Sequence, residues 1–409
     1  MGDERIDWRR LDAVADVSGG VTLGRTVPDG ASVELPYLRV ANVQDGFIDT
    51  SNVKTVRVLA GEVERYQLRQ GDLVLTEGGD FDKLGRGAVW DGRIEPCLHQ
   101  NHVFRVRCRL GHILPEYLAL YLASAEGRRY FLSIAKQTTN LATISSAQLR
   151  ATPVPCPSLA VQRHIVEVLD SVTEAERVIK ASIAKLRTVR HSVVSAEIPT
   201  RADESLAGSA GVPVRWVPVK DAGSVRMGKQ LSPDSRAAGK QFPYLRVANV
   251  LDGRIDYADV KTMGFAESER DVYSLSPGDI LLNEGQSLEL VGRSAIYEHE
   301  AGEFCFQNTL VRFRSGDGLL PRYAQAVFKL WLTSGVFAQI AKKTTSIAHL
   351  GGERFGALRF PLVPLAEQQR IIDLIDTWDK RIESDAKSLA KLRVLKQGIA
   401  GDLLSAKCG

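Results

Sequence analysis

The chain has 409 residues, 44% of them apolar and 25% charged, with a net charge of +4; that length exceeds one ordinary core and predicts two or three domains. No run of eighteen apolar residues offers a membrane span, and the charged start "MGDERIDWRR" lacks the apolar stretch of a signal peptide. Five scattered cysteines (Cys97, Cys108, Cys156, Cys305 and Cys408) argue against a disulfide framework and fit a reducing cytoplasm.

The elements come in a fixed order, and the order is then repeated. "PYLRVANVQDGFID" begins at Pro36 and returns as "PYLRVANVLDGRID" at Pro243, with twelve of fourteen positions identical. Next comes "GDLVLTEGGDFDKLGRGAVW" from Gly71, matched by "GDILLNEGQSLELVGRSAIY" from Gly278. The segments "GDLVLTEG" and "GDILLNEG" predict strands, each a Gly-Asp turn, an apolar run and a glycine stop. Gln100-Asn101 and Gln307-Asn308 follow, then "VFRVRCR" and "LVRFRSG", whose alternation predicts half-buried strands. "LPEYLALYLASAE" and "LPRYAQAVFKLWLTS" predict helices with proline in the first turn. "IAKQTT" at Ile134 recurs as "IAKKTT" at Ile340, and "LAVQRHIVEVLD" at Leu159 as "LAEQQRIIDLID" at Leu365.

A long helix follows each mixed region. Ile165, Val168, Val172, Ala175, Ile179, Ser182, Leu186, Val189 and Val193 step by three and four, a heptad seam with one polar member. Ile371, Ile375, Trp378, Ile382, Ala386, Leu389, Leu392, Ile399 and Leu403 form its counterpart. A seam on so long a helix needs a partner helix, and the other copy supplies one. The chain therefore divides into a mixed domain at 1–157, a long helix at 158–198, a polar linker at 199–213, a second mixed domain at 214–363 and a second long helix at 364–409. The fold class is α+β and duplicated, with the two helices packing as an antiparallel coiled coil.

Sequence motifs for catalysis are lacking. There is no glycine-rich phosphate loop, no Asn/Asp-Pro-Pro-aromatic tetrapeptide of amino-methyltransferases, no GxSxG and no HExxH. Cys97, His99, His102 and Cys108 have zinc-like spacing. Copy two places Phe304, Phe306, Thr309 and Ser315 there, so a metal essential to the fold would be missing from half the protein, and no metal site is assigned. Pro233-Asp234 with Asp259 and Lys261 loosely matches a nuclease pattern, but copy one has Asn52 in place of the second acid. What remains is basic and polar groups on a doubled frame, suited to phosphates and base edges.

The doubled order "PYLRVANV", "GDILLNEG…VGR", "QN" and "LAEQQRII" resembles the specificity subunit of type I restriction-modification systems over essentially the whole chain. Copy one departs at "LAVQRHI", where an acidic residue is usual before the glutamine. The resemblance implies a non-catalytic subunit with two target-recognition domains, each reading half of an asymmetric split site on double-stranded DNA. It implies two methylation subunits carrying S-adenosylmethionine for adenine N6, and two motor-nuclease subunits using ATP and magnesium. It implies no cofactor in this chain itself.

The duplication also sorts residues. Those identical in both copies cannot encode a difference between half-sites, so Arg39, Asn42, Arg86, Gln100 and Asn101, with Arg246, Asn249, Arg293, Gln307 and Asn308, are expected to be scaffold or DNA-backbone contacts. Arg105, Arg107, Lys136, Thr138 and Thr139, with Arg312, Arg314, Lys342, Lys343, Thr344 and Thr345, are placed in the same group as phosphate contacts or scaffold. Base readers are expected where the copies diverge, at Asp80, Asp82 and Lys83 against Gln286, Ser287 and Glu289. Asp or Glu accepts from cytosine N4, Lys donates to guanine, and Gln pairs with adenine. Ile183 and Leu395 on the outer helix faces, with Glu367 and Gln368, are expected to dock the partners. Two other readings stay open: a metal-dependent nuclease using Asp234, Asp259 and Lys261, and an adaptor that binds protein alone.

Overall fold

A computed structural model describes residues 7–24, 28–81, 84–137, 141–200, 213–232, 240–344 and 347–404. The chain forms two compact units, residues 1–181 with 387–409, and residues 182–386.

In unit 1 a four-stranded antiparallel sheet runs Ala15–Gly19, Val103–Cys108, Leu73–Thr76 and Gly87–Val89. The apolar run "LVLT" is buried at every position, as a central strand covered on both faces must be. Beside it lies a three-stranded sheet, Lys54–Leu59, Ser32–Leu38 and Leu98–His99, the last pair parallel. A third sheet, only two residues deep, joins Lys136–Gln137, Ala142–Thr143 and Gly78–Gly79. The single helix expected from "LPEYLALYLASAE" is two, Pro115–Ala123 and Ala125–Ile134. Ser124 ends the first in an extended conformation and caps the second, its hydroxyl accepting from the Gly127 amide at 3.2 Å.

Unit 2 repeats the plan. Its four strands are Gly223–Met227, Leu310–Ser315, Ile280–Asn283 and Ser294–Ile296. Lys261–Gly264, Gln241–Leu245 and Cys305–Phe306 form the second sheet. Lys342–Lys343, Ala348–His349 and Gly285–Gln286 form the small one. Two helices cover its core, Pro321–Thr333 through Tyr323, Val327, Phe328 and Trp331, and Val336–Ile340 through Phe337.

The recurring "GR" is explained by packing. Gly85 and Gly292 have φ of +66° and +82°, and an added Cβ would stand 2.5 Å and 2.2 Å from the rings of Phe131 and Phe337. Backbone conformation and ring contact each demand glycine there.

The long helices are Leu159–Glu197 and Leu365–Leu404. They pack against each other within each unit. In unit 2, Ser182 bonds Asp385 at 3.1 Å, Arg190 bonds Asp379 at 2.6 Å, and Glu197 pairs with Arg370, so one helix ascends as the other descends. In unit 1, Glu176 is held by Arg393 at 3.5 Å and Lys396 at 3.4 Å. Each seam is anchored to its domain by its first turns: Ile165 and Leu169 enter the core of unit 1, Ile371 and Ile375 that of unit 2. Ala386, expected in the second seam, is exposed, and its neighbour Asp385 turns inward to Ser182.

Candidate nucleic-acid interface

Asn42 and Asn249, shared by the two copies, hold the same buried turn in each unit. Asn42 Oδ1 accepts the Arg39 amide at 2.9 Å, and its Nδ2 donates to the carbonyls of Asp49 and Asn52. Asn249 repeats this with the Arg246 amide, Asp256 and Asp259. "RVAN" is thus a buried turn clamp. The Arg39 guanidinium donates to the Asn52 carbonyl at 3.0 Å, and Arg246 pairs with the Asp259 carboxylate. The Gln100 amide donates to Leu38 and the Asn101 amide to Val21; Gln307 and Asn308 repeat this with Leu245 and Lys229. The carbonyls of Arg86 and Arg293 accept from Thr76 and Asn283.

The strand arginines also have protein partners. Arg107 holds buried Asp72 through two contacts of 2.7 Å, and Arg314 holds Asp279 through contacts of 2.6 and 2.7 Å. Arg105 donates to the carbonyls of Arg65 and Gln67, and Arg312, itself buried, to those of Val272 and Ser274. Desolvation lowers the affinity of both guanidinium groups for their protons. All four side chains thus have protein partners, and the guanidinium groups of Arg107 and Arg314 stay partly exposed.

The zinc-like cluster does not converge. Cys97 and His99 are core residues, and burial pushes the Cys97 thiol up to about 12 and the His99 imidazole down to about 4. His102 turns away to Glu77, and no metal-holding group of His, Cys, Asp and Glu occurs among the described residues. Of the nuclease pattern, Asp234 lies outside the described residues, and Asp259 is engaged by Arg246.

Two docking residues are misplaced by the sequence reading. Ile183 is only 7% exposed, so it does not lie on an exposed outer face. Gln368 is fully buried: its Oε1 accepts the Leu320 amide and its Nε2 donates to Gly318 and Val363, all at 2.8 Å. Gln162 does the same in unit 1 with Leu114, His112 and Pro157. This glutamine ties the long helix to the loop before the proline-led helix. Its presence in both "LAVQ" and "LAEQ" was the available signal. Glu367 is mostly covered and paired to Arg370. Leu395 is exposed, as are Val394 and Val178.

What converges on exposed surface is the small sheet. In unit 1 its outer strand carries exposed Lys136, its middle strand ends at Thr143, and its third strand leads straight into Asp80. Gly78 is required there, because an added Cβ would lie 2.7 Å from the Thr143 methyl and 2.9 Å from the Ala142 carbonyl. In unit 2 the same sheet sets Lys342 and Lys343 one strand away from Gly285–Gln286, across Ala348–His349, and Ser287 and Glu289 follow Gln286 in the chain. Glu289 is held below the usual carboxylate range by its own backbone amide, Ser287 and Lys343. Thr344 bonds the Ile347 carbonyl at 2.9 Å to close the hairpin. Asp82, Lys83, Thr138, Thr139 and Thr345 lie outside the described residues. Phe81, Leu141, Leu290 and Ile347 are large apolar side chains exposed around these sheets.

A frame repeated in two units, each ending in an exposed basic hairpin beside a divergent loop, defines a tandem recognition scaffold. The chain belongs to the family described as "Type I restriction modification DNA specificity domain", which matches residues 6–188 and 213–393. It is a specificity subunit of a type I restriction-modification system and a non-catalytic one. It is 23% identical to the type I restriction enzyme EcoKI specificity subunit of Escherichia coli, over 89% of this chain and 80% of that protein. Its fold matches a chain from "Structural basis underlying complex assembly and conformational transition of the type I R-M system" with a TM-score of 0.70 at 17% identity, covering 98% of both chains. It also matches the HsdS subunit from Thermoanaerobacter tengcongensis with a TM-score of 0.55 at 17% identity, covering 98% of this chain and 97% of that one.

Proposed function

We propose that each recognition domain reads one half of an asymmetric, split site on double-stranded DNA. The antiparallel helices set the gap between the halves. Two methylation subunits dock on the helices and their flanks and bring S-adenosylmethionine for adenine N6; two motor-nuclease subunits add cleavage with ATP and magnesium. This chain contributes no cofactor, and the assembly works in the cytoplasm. One observation carries the reading: the two units share their sheet order and their buried turn clamps, and their chemistry diverges at the same exposed sheet. Exposed Val178, Val394 and Leu395 support a docking face on the helices.

Doubling answers an energetic need. One base pair contributes about 1–3 kcal/mol of discrimination, and two domains on one spacer combine their shares, since the first binding event presents the second domain at high local concentration. Methylomes of cells with and without the chain test the proposal. The expected result is a two-part adenine methylation motif that disappears with the chain; an unchanged methylome refutes it.

A further inference from the structure

Glu77 and Glu284 occupy the same place in the two units, at the end of the buried strand and the start of the divergent loop. Each is a node between two neighbours. The Glu77 amide donates to the His102 carbonyl at 3.0 Å, and its carbonyl accepts the Ile144 amide at 2.9 Å. Glu284 repeats both bonds with Thr309 and Leu350. One flank of the node is thus position 102 or 309, and the other is position 143 or 349. In unit 1 the flanks are His102 and Thr143; in unit 2 they are Thr309 and His349. The imidazole has changed sides while the carboxylate that holds it has stayed. His102 Nδ1 bonds Glu77 Oε2, and His349 Nδ1 bonds Glu284 Oε2 at 3.1 Å. Both rings are well exposed, with side-chain accessibilities of 58% and 41%, while Glu284 is at 15%. His349 stands on the middle strand of the small sheet, its ring over Gly285 and its register partners Gly285 and Lys342.

A structural brace would keep its two members in place between the copies. Here only the acceptor is kept, and the group presented to solvent moves from one flank of the node to the other. That pattern suits two half-sites that place the same chemical feature at different depths. A carboxylate accepting from Nδ1 fixes that nitrogen as the donor and leaves Nε2 of the neutral ring as an acceptor. Asn101 Nδ2 lies 3.4 Å from His102 Nε2, a long contact that a base amino group would displace. In the major groove the complements of such an acceptor are the exocyclic amino groups of adenine and cytosine.

We propose that Glu77–His102 and Glu284–His349 are base-reading pairs, each imidazole accepting through Nε2 from the amino group of one adenine or cytosine in its own half-site. The inference rests on the reading of the two units as half-site readers. His102 and His349 are the readers; the glutamates are positioning residues. The test uses the full chain assembled with its methylation partner, and duplexes of its own target from which single amino groups are removed. Purine replaces adenine and 2-pyrimidinone replaces cytosine, which also tells the two bases apart. With the native complex, one removal in each half-site should weaken binding about tenfold. With His102→Ala that penalty should vanish at one position of one half-site only, and with His349→Ala at one position of the other. Glu77→Gln should lower discrimination there without a uniform loss of affinity. The paired change His102→Thr with Thr143→His should move the sensitive position within the first half-site. A uniform loss on every duplex, or amino-group penalties that persist in the histidine variants, overturns the inference. Coupling to guanine instead overturns the acceptor role. A native complex that binds no split sequence overturns the half-site reading itself.

Discussion

Replacing Gln368 by alanine separates a structural clamp from a docking residue. The side chain is fully buried and makes three hydrogen bonds of 2.8 Å: from the Leu320 amide, and to the carbonyls of Gly318 and Val363. Alanine deletes all three. At about 1 kcal/mol for each bond the loss is about 3 kcal/mol, and more if the Leu320 amide is left dry. The expected outcome is a drop of that size in the stability of unit 2, read by urea unfolding of the full chain. Hydrogen exchange gives the local measure. The Leu320 amide should exchange over a hundredfold faster, since about 1.4 kcal/mol is a factor of ten. Gln162→Ala should do the same at Leu114, whose amide donates to Gln162 Oε1 at 2.8 Å. A variant that keeps its stability and protection but loses the methylation partner refutes the clamp and restores the docking role.

Further outcomes follow from the same structure. Arg314→Ala leaves Asp279 buried and unpaired, so it should cost about 3 kcal/mol in thermal unfolding, be partly rescued by Asp279→Asn, and leave the salt slope of DNA binding unchanged. Lys342→Ala with Lys343→Ala should instead flatten that slope while stability holds, because these exposed lysines have no buried partner to lose. His99 is depressed from 6.5 to about 4 by burial. The unfolded chain therefore binds its proton first, and up to about 3 kcal/mol of stability is lost as pH falls from about 6.5 to about 4; His99→Phe, matching Phe306 of the other copy, should remove that part of the acid sensitivity in urea titrations. Moving "GDFDKL" into the second copy should change one half-site in the methylome and spare the other. Inserting four residues into each long helix adds about 6 Å and turns the far end by roughly 40°, close to the roughly 35° of one base pair; the methylated motif should keep its halves and widen its gap by one pair.

The duplication, the strand and helix order and the heptad seam are legible in the sequence because each follows from local pattern. Repeats need only comparison, strands only a period of two, and a long helix only a period near 3.5. The split of "LPEYLALYLASAE" at Ser124 was missed because a serine inside an apolar helix reads as neutral until its hydroxyl is seen capping Gly127. The separation of frame from recognition surface was half legible. Identity between copies marked Asn42, Asn249 and the "GR" glycines, but not what they touch.

Tertiary structure alone decided the rest. Arg107 and Arg314 look unpartnered in a line of text, and only the fold shows Asp72 and Asp279, 35 residues upstream, buried beneath them as ion-pair partners. Ile183 and Gln368 look exposed on a helical wheel, yet both are buried, Gln368 beneath the returning loop at residues 318–320. His102 and His349 share no sequence position, so no comparison of the copies aligns them. A carboxylate common to both units brings them to the same node, because strand pairing sets neighbours by register and not by distance along the chain.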